Sequence, residues 1–253
     1  MGRVVSAQCT ACRVLVVALL FVLSANAQRQ GNSRPSKNSG PLPFARLDQN
    51  VAEEPVASLR RHSRELRHKD FYRLLSDPGK HVEGEAETIL VRSYNYHGAF
   101  EPFPASQASV VATGLIIKAQ AHVSRDRTYV YSDFTFKIDG LLKSEPALNL
   151  SQGSVITVSR AGASVQFPSG HVRHYLIEGQ GMPKIGSRYL LFLTRDDPTN
   201  PFDFVILVAG AYELDGSKNK VWALDDFNES MIDSLDVNSL LLKARNAVEA
   251  SPR

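Results

Sequence analysis

Apolar and polar residues alternate with a period of two along most of residues 110–224. This period is typical of β-strands with one buried face. The clearest segment is Thr128–Ile138, where Val130, Phe134, Phe136 and Ile138 share one parity and most polar residues share the other. Val110–Val123 is a second long strand, and Gly114 within it indicates a bulge or a barrel corner. A short turn separates the two segments, so we expect an antiparallel hairpin.

Shorter apolar runs follow, each bounded by turn residues. The predicted strands are Ser154–Ser159, Val172–Ile177, Arg188–Thr194, Phe204–Ala209, Ala211–Leu214 and Lys220–Ala223. No helical period separates these runs, which favours a single antiparallel sheet that closes, or nearly closes, on itself. We therefore predict a mainly β fold, with a small barrel or sandwich over residues 88–224.

Helical periodicity flanks this region on both sides. Residues 55–80 combine helix formers with an irregular apolar stripe and a basic cluster of Arg60, Arg61, Arg64, Arg67 and Lys69. We interpret the basic cluster as a solvated helix face, with contact to anionic lipid or nucleic acid as the alternative. Residues 225–253 carry a second apolar stripe from Val237 to Val248, preceded by Asp236 as a possible N-cap. The prediction is one N-terminal and one C-terminal helical segment.

The first 27 residues have the features of a secretory signal peptide. Two arginines precede the apolar run Val14–Leu23, and Ala25-Asn26-Ala27 matches the cleavage pattern. The run is short for a membrane-spanning helix, so we expect a cut after Ala27 and no stable membrane span afterwards. Both cysteines, Cys9 and Cys12, would leave with this segment. We therefore expect a cysteine-free mature chain that is secreted or periplasmic, which favours a bacterial envelope.

Composition and charge change again after the predicted cut. Residues 28–54 are rich in Gly, Ser, Asn, Pro and Gln, and we predict a disordered tether. Residues 28–80 carry 11 Lys and Arg against 6 Asp and Glu, whereas residues 81–253 carry 16 against 20. The basic character is confined to the N-terminal arm, so the β-region has no field for steering polyanions, and nucleic acid is not an expected partner.

The order of segments in residues 109–224 resembles a known type of module. "SVVATGLIIKAQ", "YVYSDFTFKIDGLLK", "GSVITVSR" and "KIGSRYLLFLTRDD" are similar to the OB-like modules of exported bacterial proteins, themselves reminiscent of the netrin/tissue-inhibitor type of β-barrel. The resemblance implies an OB-like barrel. Those inhibitors reach a metal through a cysteine at the mature N-terminus, which the chain beginning at Gln28 lacks, so metalloprotease inhibition is not implied.

Catalytic motifs are sparse. The sequence has no G-x-S-x-G, no H-E-x-x-H and no phosphate-binding loop motif. His171 and His174 are separated by an odd offset, which on a strand directs them to opposite faces and disfavours a shared zinc ion. Two acidic pairs, Asp196-Asp197 and Asp225-Asp226, follow strands on expected rim loops and are typical of turns. We predict no cofactor and no metal.

Aromatic residues are the best candidates for a binding surface. Flat rings can line grooves for carbohydrate or peptide. The candidates are Tyr94, Tyr96, Phe100 and Phe103 before the barrel, with Tyr129 and Tyr131 on the outward parity of the long strand. Two functions remain open. The first is a non-catalytic binding or interaction module of the cell envelope, with a protein or glycan partner; the alternative is a hydrolase of unfamiliar pattern using Ser169, His171 and His174 or the rim aspartates.

Overall fold

The computed structural model describes residues 39–47, 88–92, 101–195, 203–232 and 234–251. These residues form a mainly β unit with two sheets and two C-terminal α-helices. The strands are β1 (Phe44–Arg46), β2 (Thr88–Arg92), β3 (Val110–Val123), β4 (Val130–Ser144), β5 (Val155–Ala161), β6 (Ala163–Gln166), β7 (Val172–Ile177), β8 (Arg188–Arg195), β9 (Asp203–Asp215) and β10 (Lys220–Ala223). The helices are α1 (Glu229–Ile232) and α2 (Val237–Ala250).

The larger sheet has the order β10-β9-β5-β4-β3-β8, and β9 also pairs with β8. Its pairs are antiparallel except for β5 and β9. The predicted β3–β4 hairpin is confirmed, and so is the irregularity at Gly114, where the register shifts. A Cβ atom at this position would collide with the Lys137 carbonyl of the neighbouring strand, so glycine permits the close approach.

The smaller sheet was not expected. It has the order β1-β6-β7-β2, with β6 and β7 antiparallel and both edge strands parallel to their neighbours. The prediction of a single sheet is therefore wrong, and β7, expected in the barrel, belongs to this second sheet. Alternation within β6 and β7 cannot predict the strands that pair with them, because β1 and β2 come from distant segments of the chain.

Three clusters of buried side chains hold the unit together. The main core lies between the inward faces of β3, β4, β5, β8 and β9 and includes Phe134, Phe136 and Leu191. A second, helix-side core packs α1 and α2 against Phe192 and its neighbours. A third, the tyrosine core, joins Tyr129 and other residues of the β3–β4 tip to β6 and β7. Strand β8 contributes to the first two, so both of its faces are buried, as its apolar sequence requires.

The C-terminal helix begins as expected. The side chain of Asp236 accepts a hydrogen bond from the main-chain N–H of Ser239 at 2.7 Å, and this bond lowers the pKa of the carboxyl group. Val237, Leu240 and Ala244 bury the apolar stripe of α2. None of the helices in the described ranges is long and apolar enough to cross a membrane.

A buried ion pair anchors the segment that leads into these helices. Arg160 on β5 donates to both carboxylate oxygens of Asp225 at 2.6 Å, and the two side chains are 2% and 1% exposed. Asp225 also accepts from the main-chain N–H groups of Gly181 and Ala209, at 3.2 and 2.9 Å. Asp225 follows strand β10 on a loop, as predicted. The expected position at an exposed rim is wrong, because the carboxylate is buried and paired with Arg160.

Several predictions fall on residues outside the described ranges. They concern the signal peptide, most of the tether, the helical segment 55–80 and the Asp196-Asp197 pair. One part of the tether is described: residues 39–47 pack against the β-unit and include β1. The prediction of disorder is wrong for these nine residues. Their composition alone does not stabilise a fixed structure, but main-chain hydrogen bonds and apolar contacts with the rest of the unit do.

Candidate functional site

A row of exposed side chains crosses four strands on the outward face of the larger sheet. Strand pairing places Arg188 opposite Leu115, Leu115 opposite Lys137, and Lys137 opposite Val155. Residues paired directly across strands share one face of a sheet. Leu115 is 37% and Val155 is 55% exposed. The row therefore presents two aliphatic groups beside two cationic side chains.

A β-bulge enlarges the apolar part of this face. The register of β3 against β4 shifts between Ile116 and Lys118, which leaves Ile117 as an extra residue. Ile116 is fully buried in the main core, whereas Ile117 is 44% exposed and Lys118 is exposed. The bulge thus adds a third aliphatic side chain and a further cation next to Leu115. We call Leu115, Ile117, Lys118, Lys137 and Val155 the outer strand face.

Polar clusters lie at both ends of the outer strand face. At one end Arg188 donates to Asp139 at 2.6 Å and to Thr113 at 3.2 Å. The hydrogen bond from Arg188 holds the pKa of Asp139 below its usual value. At the other end Asp133 accepts from Ser159, and its second oxygen lies 3.4 Å from Nε2 of His122.

In the cluster of His122, Asp133 and Ser159, the Asp133 carboxylate lies between the Ser159 hydroxyl and the His122 imidazole. In a serine nucleophile site the imidazole must lie between the other two groups, since it takes the hydroxyl proton. The ring of His122 stacks on Tyr131 with 5.0 Å between centroids, which orients the imidazole. The arrangement at His122, Asp133 and Ser159 fits a fixed set of hydrogen-bonding groups bordering the outer strand face.

The structure contradicts the predicted exposure of the two tyrosines on the long strand. Tyr129 and Tyr131 are 5% and 1% exposed and stack on each other with 5.3 Å between centroids. Tyr131 lies on the outward parity of β4, and Tyr129 directly precedes this strand. The smaller sheet covers this end of the face, and both tyrosines belong to the tyrosine core. They therefore stabilise the contact between the two sheets and present no aromatic strip to solvent.

The remaining predicted aromatic residues are only partly placed. Phe103 is half-buried and stacks on Tyr212 with 5.7 Å between centroids, next to Phe192 in the helix-side core. It acts as a cover over β8 and β9. Tyr94, Tyr96 and Phe100 lie outside the described residues.

The residues named for hydrolysis occupy the smaller sheet and its turn. Nδ1 of His174 on β7 lies 2.8 Å from the hydroxyl of Ser164 on β6, a buried serine that sequence reasoning missed. Ser169 and His171 belong to the tight turn between the strands, where the Phe167 N–H donates to the His171 carbonyl. Within the described ranges, no three His, Cys, Asp or Glu side chains are grouped as a metal site would require.

Sequence reasoning also missed the aliphatic residues of the outer strand face. The available signal was parity: Leu115 and Ile117 are both odd-numbered residues of a strand already predicted, next to the buried Ile116. No protein-family model matches the chain, and no curated protein is significantly similar to it.

Proposed function

We propose that this chain is an exported, non-catalytic binding module of the cell envelope, and that the outer strand face is its binding surface. The observation that carries the proposal is the exposure of Leu115, Ile117 and Val155 on the same face of the sheet, with Lys137 between Leu115 and Val155 and Lys118 next to Ile117. Apolar side chains that are exposed together on one face of a folded protein can mark an interaction site. Export through the predicted signal peptide is part of this proposal.

We propose further that the larger sheet is an OB-like barrel. The support is its pairing: β9 pairs with β5 through residues 203–205 and with β8 through two parts of its length. Following the pairs from β9 through β5, β4, β3 and β8 leads back to β9. In barrels of this type a strand face serves many different ligands, so the fold favours binding without naming the ligand.

The chemistry of the face favours a protein partner over a glycan. Glycan sites rely on exposed aromatic rings, and the two tyrosines that were expected to supply them on the long strand are buried. Aliphatic side chains beside lysines instead complement a protein segment that carries apolar and acidic residues. A hydrolase using Ser169, His171 and His174 stays a prediction; the proposal does not depend on it.

The test is site-specific photo-cross-linking in the envelope of the native host. A benzophenone amino acid replaces Lys137 on the outer strand face or, as the matched control, Lys220 on β10; both lysines are exposed strand residues. We expect a discrete protein adduct from position 137 and none from position 220. The double substitution Leu115→Ser and Val155→Ser should abolish that adduct and leave the thermal unfolding midpoint nearly unchanged, because both side chains are exposed.

Equal labelling from positions 137 and 220 would show that the adduct reflects abundance near the protein and not recognition by this face. An adduct that persists at full yield in the double variant would likewise contradict the proposal. Hydrolytic activity that survives these substitutions would place the function at a different site.

A further inference from the structure

The segment 39–47 lies in a groove between the edge of β6 and the loop 182–184. Gly40 donates its main-chain N–H to the Met182 carbonyl at 2.7 Å, and the Met182 N–H donates to the Ser39 hydroxyl at 2.9 Å. Further along, Pro43 accepts from the Ser164 N–H at 2.8 Å, and Leu47 donates to the Gln166 carbonyl at 2.9 Å. Hydrogen bonds therefore hold the segment from end to end.

The side chains of this segment divide between the groove and solvent. Leu42 packs on the main core, and Ala45 and Leu47 pack on the tyrosine core. Pro41, Phe44 and Arg46 are exposed. Leu42, Ala45 and Leu47 thus enter the groove while the opposite side of the segment is exposed to solvent. Extended peptides bind to the edge of a sheet in the same manner.

Gly40 meets the most restrictive point of the groove. A Cβ atom on this residue would lie 2.7 Å from Cγ of Lys184 and 3.0 Å from the carbonyl oxygens of Met182 and Pro183. Two of these three neighbours are main-chain atoms that cannot rotate away. The groove therefore accepts glycine here and excludes larger residues, which makes the recognition specific for sequence as well as for backbone.

The connection between the segment and the groove is unlike that of a hairpin. β1 pairs in parallel with β6, and Phe44 faces Ser164 about 120 positions later in the chain. A parallel strand this remote in sequence contacts its site as a ligand would, through added main-chain bonds and side-chain positions. The covalent link to the rest of the chain raises the local concentration of the segment at the groove, but it contributes none of the contacts themselves.

We propose that the groove between β6 and residues 182–184 is a peptide-recognition site of the strand-addition type, and that Ser39–Leu47 is its ligand within the same chain. Its ligand class is an extended peptide with glycine at the first position of the groove and apolar residues two, five and seven positions later. The groove is separate from the outer strand face, so the inference does not rest on the proposed function.

The experiment uses the full chain with a protease recognition sequence inserted after Gln49. After cleavage, the fragment that ends at residue 49 should still co-elute with the rest of the protein in gel filtration, because its contacts are non-covalent and specific. A fluorescent peptide of residues 35–49 should then exchange into the cleaved protein, measured by fluorescence anisotropy. The same peptide with Gly40→Val should bind about tenfold more weakly or worse, because its side chain has no space.

The matched control is the peptide with Phe44→Ala, which changes a larger residue that is 50% exposed. We expect its affinity to stay within about twofold of the unchanged peptide. Two results would overturn the inference: a folded body that releases the fragment and binds no peptide, or a body that unfolds on cleavage, since the segment would then be an integral strand. Equal binding of the Gly40→Val peptide would overturn the specificity.

Discussion

Replacing Asp225 by asparagine removes the negative charge that faces Arg160 inside the protein. The guanidinium group of Arg160 is only 2% exposed, and it would lose the carboxylate with which it pairs at 2.6 Å. Removing one member of a buried ion pair costs about 3 to 5 kcal/mol, because the remaining charge stays desolvated. We expect the free energy of unfolding to fall by this amount in Asp225→Asn.

The same fold contains a matched control. Arg188 and Asp139 form an ion pair with the same residue types and the same 2.6 Å separation, but their side chains are 42% and 40% exposed. Water screens such a pair, and breaking it costs about 1 kcal/mol or less. Asp139→Asn should therefore have a much smaller effect than Asp225→Asn, although the two substitutions are chemically identical.

Equilibrium unfolding in urea measures both variants. A lower midpoint with an unchanged slope reports a loss of stability, whereas a changed slope reports a different denatured or native state. The double variant Arg160→Met with Asp225→Leu should recover part of the loss, because it removes both desolvated charges together. Equal costs for Asp225→Asn and Asp139→Asn would refute the reasoning that burial determines the size of the effect.

Two further predictions concern tyrosines. Tyr131→Ala should cost about 3 to 5 kcal/mol by opening a cavity in the tyrosine core, against about 1 kcal/mol or less for the exposed Phe44→Ala; equal thermal midpoints for the two variants would contradict its burial. Burial raises the pKa of the Tyr189 and Tyr212 phenols above the ordinary value, so each stabilises the fold below pH 10 and loses that contribution as the pH rises further. The slope is about 1.4 kcal/mol per pH unit for each phenol, and Tyr212→Phe should make the alkaline fall shallower in pH-dependent urea unfolding.

Alternation in the sequence predicts individual strands, because successive side chains of a strand point to a buried and an open face in turn. The bounds of Val110–Val123, Val172–Ile177 and Lys220–Ala223 agree with β3, β7 and β10. Phe204–Ala209 and Ala211–Leu214 were predicted as two strands and form the single strand β9. Gly210, the residue between the two predicted strands, allows close packing against Phe192 and Leu207.

Parity predicts the face of a residue and not what covers that face. Tyr131 and Lys137 share the outward parity of β4, yet the first is buried and the second is exposed. The difference comes from the smaller sheet, whose edge strands come from distant segments without a distinctive pattern. β1 has three residues next to two prolines, and its stabilisation comes from the groove it enters. Such long-range contacts leave no local signal. The outward parity of β4 could therefore be predicted, but not that this face is open around Lys137 and covered around Tyr131.

The parallel pairing of β1 with β6 has a consequence for the order in which the protein acquires its structure. The segment that contains β1 is synthesised about 120 residues before its partner strand β6, so it cannot pair until β6 has been made. Contacts between such remote segments form late, because a long loop must close before they contribute stability. Until then the β6 edge and the apolar residues beneath it are open to solvent. The protein is therefore most exposed to aggregation after the β6–β7 hairpin has formed and before β1 pairs with β6.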